Sequence, residues 1–287
     1  LTKPLNLLIA ESEPEEARDA RRGATGRSSG ETYMDALRAL APDARFDIFR
    51  PGEPGRLPQA LDAYDGVFLS GSPLHVYHDN HEVRANVDFM RAVFDAGVPS
   101  FGSCAGLHIA VAAAGGTVRR NPDGHEVGLA RRIAPTPEGA RHPLLEGRPA
   151  AFDAPAVHGD EVEALPPEGA TRLAGNAASP VQAAEIRCGA GTFWGVQYHP
   201  ELPLDQLAQA IRRQKEGLVE RGLARSEADV EAQAGLFEAL GREPDRLDVA
   251  WRLGVDREVA EGARRSTELR NALRHLVEPA RARRGRG

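Results

Sequence analysis

Two short stretches, far apart along the chain, hold residue types that together could attack a carbonyl. The first is Val98-Pro-Ser-Phe-Gly-Ser-Cys104-Ala-Gly-Leu-His108. A short apolar run ends in a Gly-x-Cys-x-Gly turn, and an alanine-rich helical pattern follows at once, from Leu107 through Ala114. This is the strand–turn–helix setting of a nucleophile elbow, with cysteine in the place of serine. The flanking glycines permit a tight turn and close approach of other backbone. The helix start directs its N–H groups and its positive dipole end at the sulfur. The second stretch is Tyr198-His-Pro-Glu201, which closes the strand-like run Thr192–Tyr198. A cysteine nucleophile needs a base, and the base needs an orienting group. Two residues apart at a strand end, His199 and Glu201 supply both: an imidazole, and a carboxylate to fix its tautomer and stabilise its cation.

The elements that must bring these stretches together read as an α/β chain. Leu5–Ala10, Phe46–Phe49 and Gly66–Ser70 have the apolar content of buried strands, and the third enters the turn Gly71-Ser-Pro73. Glu31–Leu40 and Val83–Ala96 have helical spacing of apolar residues. Alternation of this kind predicts a three-layer, open, mostly parallel sheet with helices on both faces and ligands at the carboxyl ends of its strands. Residues 11–30 are polar, with no apolar period, and are expected to form a long loop at the same sheet end as the catalytic turn. After Gly116 come short strand-like pieces around Val118, Leu129–Ile133, Val162 and Ala183–Ile186. Helical patterns follow over Leu204–Arg221, Glu227–Leu240 and Asp256–Val277. The expected division is a main domain over residues 1–203 and a helical extension over 204–287, ending in a frayed, solvated tail from Arg281.

Composition narrows the function classes. The chain has 287 residues, of which 41% are hydrophobic, so a sizeable core is available. Its net charge of −6 offers no reason to expect nucleic acid or an anionic membrane as partner. Two cysteines, Cys104 and Cys188, are too few for a disulfide framework. The first residues lack a signal-peptide pattern, and no apolar run approaches the ~18 residues of a membrane span. A cytoplasmic enzyme is expected; the oligomeric state is left open.

Four segments carry a resemblance. Leu69-Ser-Gly-Ser-Pro73, Gly102-Ser-Cys-Ala-Gly106, His158-Gly-Asp160 and Gly195-Val-Gln-Tyr-His-Pro-Glu201 occur in the order found in the class I glutamine amidotransferase family. The chain resembles in particular its GMP synthase glutaminase branch, over roughly residues 5–203. The resemblance implies a flavodoxin-like fold and a triad of Cys104, His199 and Glu201. It implies attack on a glutamine carboxamide, a γ-glutamyl thioester, and release of ammonia and glutamate. It puts the oxyanion donors on Ser72, in the turn after Gly71, and on Ala105. It puts substrate contacts on His108 and on His158, Gly159 and Asp160 at the rim of the pocket.

The chain departs from the family pattern in several places. Ser72 stands before the proline where the family commonly has glycine, and the loop continues as the bulkier Leu74-His-Val-Tyr77, which is expected to narrow the pocket. His108 stands where the family has glutamine, and an ATP-dependent synthetase loop is absent. Either ammonia passes to a separate synthetase subunit, or the protein hydrolyses an amide outright. The main expectation is a glutaminase-type enzyme. The alternative is a hydrolase of another γ-glutamyl compound with the same triad, and a silent binding protein on the same fold is a third reading. The series His75-x-x-His78-x-x-His81-Glu82 has ligand-like spacing, but Pro73 and Asp79-Asn80 favour a loop. Neither a metal nor a cofactor is expected. Arg119-Arg120 and Arg131-Arg132 are expected to be solvated charges.

Overall fold

The first strand, β1 (Asn6–Ala10), is buried along almost its whole length, as a central strand covered on both faces must be. Then come α1 (Glu15–Thr25), α2 (Ser29–Leu40), β2 (Arg45–Phe49), β3 (Gly66–Leu69), α3 (His81–Asp95), β4 (Ser100–Ser103) and α4 (Ala105–Ala113). Next are β5 (Thr117–Arg120), β6 (Glu126–Pro135), β7 (Phe152–His158), β8 (Asp160–Ala164), β9 (Ala170–Gly175), β10 (Ala183–Cys188) and β11 (Gly191–Val196). The computed structural model describes residues 3–122 and 124–285. No helix among them is long and apolar enough to cross a membrane.

Nine strands form one sheet in the order β2-β1-β3-β4-β11-β10-β9-β6-β7, and β5 pairs separately with β8. Pairings from β2 to β11 are parallel, and those from β11 outward through β10, β9, β6 and β7 are antiparallel. The parallel half is the arrangement expected from the strand–helix alternation. The antiparallel half includes β7 and β9, which leave little trace in the local apolar pattern. Both ends of β7 matter below, because it runs past the cysteine turn.

Residues 11–30 are not a loop. They hold α1 and the start of α2. Glu15 and Glu16 lie in the first turn of α1, Arg22 in its last, and Gly26 closes it in the left-handed conformation at φ 73°. The residues this helix turns toward the cavity are mostly small, Ala17 and Ala20 among them, so no run of large apolar side chains marks it in sequence. Its buried Arg18 is paired with Glu53. A capping box between Ser28 and Glu31 then starts α2.

Beyond residue 203 the chain forms α5 (Leu204–Arg213), α6 (Lys215–Glu220), α7 (Glu227–Arg242) and α8 (Leu247–Leu253). Leu207, Ile211, Phe237 and Leu240 share an apolar cluster with Leu129 of β6. The remaining short helical turns place Leu269, Leu273 and Val277 in the core beside Leu7, Ile9, Phe68 and Phe101. The expected frayed tail is therefore corrected. Arg281 is buried with its Nε 3.8 Å from Asp65, and Arg284 donates to the Tyr64 carbonyl at 3.1 Å. Residues 286 and 287 lie outside the described residues.

The arginine pairs are also more than solvated charges. Arg119 meets Glu161 at 2.9 Å, and Arg131 donates to the carbonyls of Leu253 and Gly254 at the end of α8. The deepest tie between the end of the chain and the sheet is Arg148. Its guanidinium is 1% exposed and contacts Glu258 and Glu268, each at 2.7 Å. Glu268 in turn accepts from the Tyr198 hydroxyl at 2.9 Å. Removing one member of such a network strands the others without water. Arg148→Met is expected to destabilise the protein by about 3–5 kcal/mol. Chemical denaturation monitored by Trp fluorescence checks this, and a loss near zero would contradict it.

Candidate active site

The carboxyl ends of β1, β3, β4 and β11 converge on one cavity of about 800 Å3. At its floor the chain passes from β4 into α4 through Cys104, whose backbone has φ 54° and ψ −111°. Positive φ is strained for a residue with a Cβ. The surroundings hold the turn in place. The Cys104 N–H donates to Val196 at 2.8 Å, and the Leu107 and His108 N–H groups return to the Cys104 carbonyl at 3.0 and 3.2 Å. Glycine is required on either side. A Cβ on Gly102 would lie 3.0 Å from the Gly106 carbonyl carbon, and one on Gly106 would lie 2.7 Å from the Leu69 oxygen. The sulfur is left at the cavity floor, 3.9 Å from the Val157 carbonyl of β7.

His199 follows β11 and is pinned by its N–H to the Pro155 carbonyl of β7, at 2.8 Å. Its Nδ1 is 2.7 Å from Glu201 Oε1, and Cys104 is close enough to favour charge on the ring. The ring lies against Gly71, where a Cβ would sit 2.6 Å from His199 Cε1. Burial works against charge on the imidazole, but the Glu201 carboxylate and Cys104 outweigh it and push the His199 pKa up to about 10. The three residues singled out from sequence are thus brought together at one point.

The turn over the sulfur is tied to the end of β1. Ser72 Oγ donates to the Ser12 carbonyl at 3.0 Å, and the Ser12 N–H donates to Ser70 Oγ at 3.3 Å. Among the described residues the N–H groups of Ser72 and Ala105 have no committed acceptor. That of Ala105 is the first of α4, which no intrahelical carbonyl can satisfy.

The expected rim residues line the same cavity. His158 is held at both nitrogens, by Glu126 at 2.9 Å and by the Asp160 carbonyl at 3.0 Å, so it is not free to act as a rival base. Asp160 is 2.7 Å from His75 Nδ1 and accepts from Tyr77 at 3.2 Å. The spaced histidines therefore begin as a wall of the pocket, and His81 opens α3. His108 is buried with Nε2 2.7 Å from Gln197 Oε1. Burial lowers its pKa to about 4, so it is a neutral ring that donates through Nε2 and keeps Nδ1 as an acceptor. His125 lies over Gly159, where any Cβ would strike its ring.

Sequence reasoning did not find Glu126, Gln197 or His125, of which only Gln197, inside the Gly195–Glu201 motif, carried a local signal. Tyr77, at the end of the bulky loop after Pro73, does line the cavity, as do Glu13 and Arg21 of the 11–30 segment. Leu202, Ala210 and Arg213, at or within α5, line it too and had no signal.

A titration of ring chemical shifts in labelled protein is expected to find His199 as imidazolium throughout the neutral range, with a midpoint near pH 10. Glu201→Gln is expected to bring that midpoint down toward the ordinary value of about 6.5. A neutral His199 at pH 7 in the unaltered protein would contradict the geometry.

Residues 33–215 match the family described as glutamine amidotransferase class-I. The chain is 35% identical to a γ-glutamyl-L-1-hydroxyisopropylamide hydrolase from Pseudomonas, over 96% of this chain and 94% of the relative. It is 37% identical to the GMP synthase of Wolinella succinogenes, over 48% of this chain and 25% of that longer enzyme. A glutamine amidotransferase from Thermotoga maritima superposes with a TM-score of 0.66 at 17% identity, covering 96% of this chain and 98% of that one, a likeness of fold. With more than half of its length inside the family match and a full-length relative in support, the chain belongs to the class I glutamine amidotransferase family.

Proposed function

We propose that the protein hydrolyses γ-glutamyl amides bearing a substituent on the amide nitrogen. Cys104 Sγ attacks the amide carbonyl, and the tetrahedral oxyanion is held by the N–H groups of Ser72 and Ala105, an effect worth roughly 3–4 kcal/mol for one well-placed donor. His199, oriented by Glu201, gives its proton to the leaving nitrogen. The amine departs and a γ-glutamyl thioester remains on Cys104. Water then attacks the thioester while His199 takes its proton, which releases glutamate and restores the Cys104 thiolate beside the His199 imidazolium.

The observation that carries this reading is the Cys104–His199–Glu201 arrangement beside a cavity of about 800 Å3, lined also by His108, His158 and Asp160 and by residues of α1 and α5, which is more room than the ammonia leaving group of glutamine requires. The full-length likeness to a hydrolase of a substituted γ-glutamyl amide favours this reading over delivery of ammonia to a partner synthetase subunit. Plain glutamine is then the smallest member of the substrate class.

The test is release of glutamate and amine from γ-glutamyl ethylamide and from a γ-glutamyl hydroxyalkylamide, with glutamine alongside. The substituted amides are expected to be cleaved with higher kcat/KM than glutamine. Cleavage of glutamine alone would sink the proposal and restore the glutaminase reading. Cys104→Ala is expected to abolish turnover, and Glu201→Gln to lower kcat by roughly 10^4-fold. Gly71→Ala is expected to cut kcat by displacing the His199 ring while leaving the thermal midpoint close to that of the unaltered protein. Unchanged kcat in that variant would contradict the role given to the close approach.

A further inference from the structure

Behind the Gly71–Ser72 turn runs a chain of buried hydroxyls and carboxylates that the hydrolytic reading does not use. Its centre is Ser70, which follows β3 and is fully buried. Ser70 Oγ receives the Ser12 N–H at 3.3 Å, lies 3.1 Å from Ser29 Oγ, and donates to the Gly71 carbonyl at 3.2 Å. A hydroxyl has two lone pairs and one hydrogen. With Ser12 and Ser29 donating to it, both lone pairs of Ser70 are filled and its hydrogen goes to Gly71.

Ser29 is itself held in place. It is the first residue of α2, and its N–H donates to Glu13 Oε2 at 3.3 Å. The next N–H, that of Gly30, donates to Glu11 Oε1 at 2.7 Å, and Arg50 Nε donates to Glu11 Oε2 at 2.7 Å. Glu11 is buried, so a carboxylate shielded from water anchors the start of α2, where the helix dipole favours negative charge. The other acceptor within reach of Ser29 Oγ is Glu11 Oε1 at 3.4 Å, a longer contact than the one to Ser70. The shorter contact directs the Ser29 hydrogen to Ser70.

The bond to Gly71 matters because of what lies across the same peptide. The Gly71 carbonyl and the Ser72 N–H belong to one planar trans unit, so fixing the direction of the first fixes that of the second. The Ser72 hydroxyl is committed elsewhere: it donates to the Ser12 carbonyl at 3.0 Å and accepts from the Leu74 N–H at 3.2 Å. Gly71 stands beside the reacting groups, since a Cβ there would lie 2.6 Å from His199 Cε1 and 3.7 Å from Cys104 Cβ. Turned over, this peptide would offer a carbonyl oxygen where the tetrahedral intermediate needs a donor.

We propose that Ser70 is a positioning residue for catalysis: its hydroxyl, seated by Ser29 and the Glu11 anchor behind it, keeps the Ser72 N–H turned toward the developing oxyanion. The inference rests on the oxyanion role given to that N–H. It extends the machinery to a side chain that does not line the cavity.

The experiment compares Ser70→Ala and Ser29→Ala with the unaltered protein, on whichever γ-glutamyl amide that protein cleaves, glutamine included. It reads turnover, inhibition by glutamate γ-semialdehyde, and alkylation of Cys104 by iodoacetamide. Cys104 Sγ adds to the aldehyde carbon, and the aldehyde oxygen, which takes up the carbonyl electron pair, probes the N–H donors. Alkylation forms a carbon–sulfur bond with loss of iodide, makes no oxyanion, and reports the nucleophile alone. Ser70→Ala is expected to lower kcat and weaken the aldehyde by a similar factor, roughly 10- to 100-fold, with KM and the alkylation rate within about twofold. Ser29→Ala is expected to move kcat and aldehyde binding the same way by a smaller factor, and it carries the test if Ser70→Ala does not fold. Unchanged kcat and aldehyde binding in both variants, or a loss of alkylation in step with kcat, would overturn the positioning role and leave hydrolysis at Cys104 standing. Cleavage of glutamine alone would overturn the substituted-amide reading, and the comparison then runs on glutamine. An unaltered protein that is alkylated at Cys104 yet cleaves no γ-glutamyl amide would overturn both.

Discussion

The strained turn at Cys104 is the constraint on which the rest of the site depends. A cysteine at φ 54° costs backbone energy, on the order of 1–3 kcal/mol, that neighbouring structure must offset. Its N–H is tied to β11, its carbonyl caps the first turn of α4, and two glycines let the turn press against β3. The result is a sulfur on the cavity floor directly before the first free N–H of α4. Because β4 lies between β3 and β11 in the sheet, the Gly71–Ser72 turn and His199 arrive on either side of that space without further adjustment.

The antiparallel half of the sheet serves the same point from above. β7 offers Pro155 to the His199 N–H and Val157 to the sulfur, and it ends in His158. Glu126 of β6 then holds His158 from behind, with Asn176 and Gln182 on its other lone pairs. The end of the chain joins in through Arg148, Glu268 and Tyr198, the residue next to His199. A buried ionic network at that place costs desolvation, and its return is a fixed position for the strand end that carries the base.

Much of the candidate site was legible in sequence because it is local. Gly-x-Cys-x-Gly before an apolar helix, and His-Pro-Glu after an apolar strand, each encode their own backbone geometry. The parallel strands were legible for a similar reason: β1 and β3 are short apolar runs with turn residues after them. What was missed depends on partners distant in the chain. α1 shows no apolar stripe because it turns small residues toward the cavity, so residues 11–30 read as loop. β7 and β9 lie on either side of β6 in the antiparallel half of the sheet, with interrupted alternation. Arg21 and Arg213 come to one cavity only because α1 and α5 meet, and no spacing rule joins residues from two such helices. His108 is an intermediate case. Its departure from the family pattern was visible, but its neutrality follows from burial against Gln197, which only the fold supplies.

The central claim is a γ-glutamyl thioester at Cys104 formed from a substituted amide. Rapid acid quench during turnover of γ-glutamyl ethylamide, followed by peptide mass spectrometry, tests it most directly. The account predicts a γ-glutamyl adduct on the peptide carrying Cys104, formed together with a burst of ethylamine and lost as glutamate appears. Ethylamine release with no adduct on that peptide, or an adduct on Cys188 instead, would contradict it.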